Sequence, residues 1–130
     1  MTMEDNAISA VAAARCISVV TFKRDGTPVA TPIWFNVIDD KIYFTTEAGA
    51  WKIKRIRNDP TVRFAVCTQR GKVIGPVFTG TARVLSKDEL APVMAAKKKR
   101  YLLARLVMAL PGKKDQVAVE ITPGPAARLT

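Results

Sequence analysis

Histidine is absent from all 130 residues. That absence removes the usual general base near neutral pH, the Ser-His and Cys-His nucleophile systems, and the commonest haem ligand. An enzyme built this way leaves its chemistry to a borrowed cofactor. Cysteine is scarce: Cys16 and Cys67 sit in apolar runs, with no C-x-x-C spacing to suggest a metal or redox motif. Both read as buried thiols in strands rather than as a disulfide or a ligand set. No apolar run approaches membrane-spanning length, and "MTMEDNAISAVAAARC" carries acids where a secretory leader carries bases. The expectation is a cytoplasmic protein with no membrane segment. Acids are outnumbered, 11 against 21 Lys and Arg, which leaves a net charge of +10. Such an excess implies an anionic partner without saying whether it is a polymer, a phosphate ester or a polycarboxylate.

What is present suffices for one hydrophobic core, since 48% of the residues are apolar. No repeat or low-complexity linker divides residues 1–130, so a single domain is expected. A short amphipathic helix is predicted over 5–14, capped near Asp5 or Asn6, with Ile8, Val11 and Ala12 on one side. Alternating strands follow at 15–23 and 27–38, joined around Asp25-Gly26, and at 41–46 after Asp39-Asp40. Beyond a basic helix come strands at 61–69 and 72–86, the second interrupted by Gly75-Pro76, where a bend is expected. Ser86 and Glu89 form a capping box for a helix running to about Leu110 despite Pro92. Residues 116–123 make a last alternating strand, and the tail 124–130 reads as loose. Six strands with tight hairpins and two helical crossings predict a small, mostly antiparallel β-barrel with short helices.

The stretch "TTEAGAWKIKRIRNDP" carries the main functional signal. Thr45 and Thr46 end a strand and lead into a helix whose first turn holds Lys52. Exposed amides already make that helix end positive, so another cation there is mildly unfavourable unless an anion is to arrive. Arg57, near the opposite end, is explained by the helix dipole; Lys52 is not. A run of bases read alone is a solvated face, but two hydroxyls, free amides and a lysine together suit a phosphate. Pro28 and Pro32 remove NH donors from a strand that its hairpins would pair on both sides, which marks either a barrel corner or a site. Trp34 and Trp51 are core residues or border a planar ligand. A second basic cluster, Lys97 to Arg100 with Arg105, Lys113 and Lys114, reads as a solvated face or an extension of the groove.

Taken together, "TPVATPIWFNVIDDKIYFTTEAGAWKIKRIRNDPTVRFAVC" followed by "GPVFTGTARVL" resembles the pyridoxine phosphate oxidase-like split β-barrel proteins, and among them the small deazaflavin-dependent subgroup of actinobacteria. The resemblance implies a flavin-binding split barrel that dimerises and holds its cofactor between the two subunits. Carried onto this sequence, Thr31, Pro32, Ile33 and Trp34 would run along the cofactor ring, and Thr45, Thr46 and Lys52 would hold its phosphate. Lys54 and Arg55 would meet the same anion or an oligoglutamate tail. The implied function is hydride transfer from reduced deazaflavin, coenzyme F420, to a small unsaturated or conjugated acceptor, with no side chain singled out as catalytic. A final proton would come from solvent, Tyr43, Tyr101 or a threonine. Flavin mononucleotide is the alternative cofactor, and a non-catalytic carrier the alternative role. Nucleic-acid binding ranks third, because the 7% aromatic content is not interleaved with the bases as on a stacking strand.

Overall fold

The computed structural model describes the backbone of residues 3–100 and 116–124 and the side chains of 8–96 and 116–124. Seven strands form one antiparallel sheet: β1 (Cys16–Phe22), β2 (Pro28–Trp34), β3 (Asn36–Ile38), β4 (Lys41–Glu47), β5 (Thr61–Val66), β6 (Phe78–Val84) and β7 (Gln116–Pro123). Their order across the sheet is β2-β1-β5-β6-β7-β4-β3. The two edge strands, β2 and β3, are separated in the chain by Phe35 alone. The sheet must therefore curl until its edges meet at that residue, which makes a half-barrel.

This arrangement corrects three expectations. The ribbon 27–38 is two strands rather than one, so the sheet has seven strands and not six. Alternation does not show the break because Ile33, Phe35 and Val37 keep turning to the core while the partner changes from β1 to β4. Nor is β2 paired on both sides. It lies at the sheet edge beside β1, where a strand tolerates missing NH donors, and Pro28 and Pro32 are accommodated there. The strand expected over 72–86 begins only at Phe78. Before it, a single bridge joins Val73 to Cys67, and Val73, Ile74 and Val77 are exposed.

Inward positions of the curled sheet make the core: Ile17 and Val19, Val62 and Phe64, Ile42 and Phe44, Val119 and Ile121, with Phe35 at the seam. The first helix, α1 (Met3–Ala12), adds Val11, which is fully buried, while Ala12 stays exposed. On the outer face, α3 (Lys87–Arg100) sets Val93 and Leu90 against Leu85, Ala118 and Tyr43. Its start is the expected capping box, in which the Ser86 amide and hydroxyl both donate to Glu89 Oε1, at 3.0 and 3.1 Å. Pro92 lies inside this helix without ending it at that point. The continuation expected to Leu110, the bases Arg105, Lys113 and Lys114, and the tail from 125 lie outside the described residues.

Gly80 sits where β6 has no room for a side chain against β7. A Cβ built there would stand 2.9 Å from both Ile121 Cγ2 and the Thr122 carbonyl oxygen, and the backbone contact has no room to yield. Gly80→Ala is expected to lower stability by about 1 to 3 kcal/mol, as overpacking does. Urea denaturation monitored by tryptophan fluorescence checks this, and an unchanged midpoint would show that β6 and β7 separate freely.

Candidate anion and cofactor site

The basic helix α2 spans Trp51–Asn58 and joins β4 to β5. Ile53 and Ile56, 0% and 2% exposed, tie it to the core. At ~100° per residue, Lys52 and Arg55 then fall on one flank and Arg57 on the other. The N-cap residue Ala50 offers no side-chain cap, and the first turn contains no acid. A helix opened this way leaves its first amides without a side-chain partner.

Lys52 is half-buried, with Nζ 3.5 Å from Thr46 Oγ1, the outer limit of a hydrogen bond. Burial holds its pKa below the usual lysine value, the Arg55 guanidinium adds to the effect, and exposed Glu47 opposes it. The amine is thus partly removed from water, beside a second cation, with one weak neutral partner. An arriving anion would offset the repulsion between the two cations and favour the charged amine. Arg55 does not point away from this place freely, because its Nε donates to the buried Thr21 Oγ1 at 2.6 Å.

Beyond Arg55 the same helix borders an open cavity of about 550 Å³. Phe22, Lys23 and Arg24 at the end of β1 form one wall, and Trp51, Lys54, Arg55 and Asn58 form the other. Lys54 Nζ lies 4.3 Å from the Trp51 ring centroid, and the Arg63 guanidinium stacks at 5.4 Å on the Phe22 ring. Arg63 Nε is buried with no hydrogen-bond partner among the described residues. Four cations and no acid line this cavity, and Arg55 is the residue it shares with the Lys52 flank.

The structure divides the sequence-predicted set by strand parity. Thr46 faces inward opposite Val117 and meets Lys52; Thr45 faces outward opposite Ala118, away from it. Thr31 and Ile33 face inward opposite Val19 and Ile17, whereas Pro32 and Trp34 face outward opposite Ser18 and Cys16. β1 links the two groups: Thr21, which holds Arg55, lies two residues beyond Val19, the partner of Thr31. Lys54 belongs to the cavity rather than to the Thr46 side. Thr21, Lys23, Arg24, Asn58 and Arg63 were not among the expected site residues. The one available signal was Thr21, a polar residue at an inward position in a strand whose other inward residues are apolar.

Tyr43, one of the proton donors left open by the sequence, is engaged elsewhere. It faces outward, donates to Glu120 Oε2 at 2.8 Å, and has its pKa pushed up to about 12 by burial and by that carboxylate. Glu120 is further held by Arg83 and Lys41. Among the described residues no group of three or more His, Cys, Asp or Glu is placed to hold a metal, and no helix is long and apolar enough to cross a membrane.

A curled antiparallel sheet with a cationic helix packed on it is a frame shared with known proteins. The profile of pyridoxamine 5'-phosphate oxidase matches residues 3–127. The chain belongs to that family. Among solved structures, the family fold recurs in the conserved hypothetical protein Rv2991 from Mycobacterium tuberculosis, 26% identical over 95% of this chain and 81% of that one, with a TM-score of 0.71. The haem storage protein HutZ from Vibrio cholerae is 15% identical over 95% and 91% of the two chains, with a TM-score of 0.69. General Stress Protein 26 from Bacillus anthracis is 20% identical over 95% and 90%, with a TM-score of 0.65. The last two are likenesses of fold alone. No curated protein sequence matches this chain.

Replacing Arg55 removes the cation that depresses Lys52. In Arg55→Gln the Lys52 amine is expected to titrate closer to the ordinary lysine value than in the parent, followed by NMR of the lysine side chains. An unchanged or lower value would show that the two cations do not face each other.

Proposed function

We propose that the chain is an oxidoreductase that binds a phosphate-bearing deazaflavin, coenzyme F420, and reduces a small unsaturated or conjugated acceptor. The observation that carries this reading is the half-buried Lys52 amine beside Arg55 and Thr46 at an uncapped helix start. These donors fit an esterified phosphate: two cations, one hydroxyl and first-turn amides, with no acid in the helix to oppose them. When bound, the deazaflavin supplies the hydride from its central ring.

The chain's own residues bind and orient. Lys52, Thr46 and Arg55 hold the phosphate, and Thr21 keeps Arg55 in place. The half-buried Thr31 lies against the ring, and Ile33, buried in the core, sets the position of that edge strand, from which Pro28 and Pro32 each remove one NH donor. Pro32, Trp34 and Thr45 serve the same cofactor from the opposite face in the homodimer, where a second subunit completes the groove. Three exposed apolar side chains on one loop, Val73, Ile74 and Val77, support a subunit contact. Lys23, Arg24 and Lys54 border the cavity that lies next to the phosphate position, which suits the negatively charged tail of a deazaflavin better than the bare phosphate end of flavin mononucleotide. The missing histidines are consistent with a reaction in which no side chain acts as base.

Native mass spectrometry of the protein with equimolar deazaflavin and flavin mononucleotide tests cofactor and oligomeric state together. A dimer carrying deazaflavin is expected; preference for flavin mononucleotide moves the assignment to the alternative cofactor. Oxidation of the reduced cofactor in the presence of candidate acceptors then separates an enzyme from a carrier, which would bind without turnover. Lys52→Ala is expected to weaken cofactor binding by about 1 to 3 kcal/mol, the range for a lost charge-assisted contact, with the fold retained. Fluorescence titration reads this, and equal affinities of variant and parent would remove the phosphate from Lys52.

A further inference from the structure

Cys16 opens β1 and Cys67 directly follows β5, its neighbour in the sheet. The Cys67 amide donates to the Cys16 carbonyl at 3.2 Å, so the two residues face each other across the ladder. Their Sγ atoms are 3.4 Å apart, and the side chains are 4% and 5% exposed. Among the described residues no third His, Cys, Asp or Glu joins them in a group that could hold a metal. The chain between them, a separation of 51 in sequence, encloses β2, β4 and α2, and with these every residue proposed to hold the cofactor.

We propose that Cys16 and Cys67 are an oxidative modification site, converted by hydrogen peroxide into a reversible disulfide within one chain. Opposed residues of antiparallel strands hold their Cβ atoms about 4.5 to 5.5 Å apart, against about 3.5 to 4.5 Å in a disulfide. A small approach of the strand ends closes that gap, and beyond Cys67 only the bridge to Val73 continues the ladder. In the first step one thiolate attacks a peroxide oxygen; the O–O bond breaks, giving a sulfenic acid and, with a proton, water. The second sulfur then attacks the sulfenic sulfur; the S–S bond forms, the S–O bond breaks, and hydroxide leaves to take up the remaining proton as a second water. Two electrons pass from the sulfurs to the peroxide, and both thiol protons end in water. Burial and the contact with Cys16 raise the Cys67 thiol pKa, so the Cys67 thiolate becomes more available as the pH rises. Once formed, the bond closes a long loop and restricts the unfolded chain.

Hydrogen peroxide treatment of the intact protein, followed by denaturation, alkylation and mass measurement without reductant, tests the site. The expected product has lost two hydrogens per chain, takes no alkyl group, regains both thiols with dithiothreitol, and melts at a higher temperature than the reduced protein. Two alkylatable thiols after exhaustive treatment, oxygen adducts on cysteine without a disulfide, or chains linked to one another would overturn it. Cys67→Ser is expected to give no intrachain bond, but the parent protein alone decides the matter if that variant does not fold.

Discussion

A lysine held partly out of water next to an arginine is an unfavourable arrangement, and the functional account rests on it. Ile53 and Ile56 fix α2 on the sheet, and that fixes Lys52 on the flank facing Thr46. Thr21 fixes Arg55 on the same flank. Among the described residues neither cation forms an ion pair, and burial together with repulsion from Arg55 lowers the lysine's pKa against the opposing pull of Glu47. Packing of two isoleucines therefore maintains a concentration of positive charge that water and counterions alone would relax. Compact anions that also accept hydrogen bonds, above all phosphate esters, relieve it best.

The sheet makes that arrangement possible by curling. With β2 and β3 as its two edges and only Phe35 between them, the ribbon 28–38 must pass along the seam of the half-barrel. The inward side of β2 and the end of β1 that pins Arg55 consequently share one surface. The outer face does a separate job. Glu120, Arg83, Tyr43 and Glu89 form a polar network that anchors the start of α3, and it takes Tyr43 out of the reckoning for the cofactor side.

Much of the fold was legible because alternation and turn chemistry act locally. Asp25-Gly26, the Ser86 and Glu89 capping box, and the apolar periods of β5 and β7 all stand where the residues place them. The seam was not legible, because inward alternation runs unbroken through Phe35 while the pairing partner changes, and partner exchange leaves no mark on a period-two pattern. The same parity rule separates Thr45 from Thr46, which adjacency in sequence had grouped. Lys52 was legible from electrostatics, as a cation at the wrong helix end. The Lys23 and Arg24 wall of the cavity was not, because it depends on the β1 end meeting α2 across 30 residues of intervening chain or so, a long-range contact that no local pattern encodes.

The central claim is that the Lys52 and Arg55 flank, rather than the neighbouring cavity or a merely solvated helix face, receives the cofactor phosphate. A crystal structure of the protein grown with deazaflavin or flavin mononucleotide measures this directly. The account predicts a phosphate oxygen within hydrogen-bonding distance of Lys52 Nζ, with Arg55 turned to the same group. A phosphate lodged between Arg24 and Lys54, or on the α3 side of the sheet, with Lys52 still facing Thr46 alone, would contradict it.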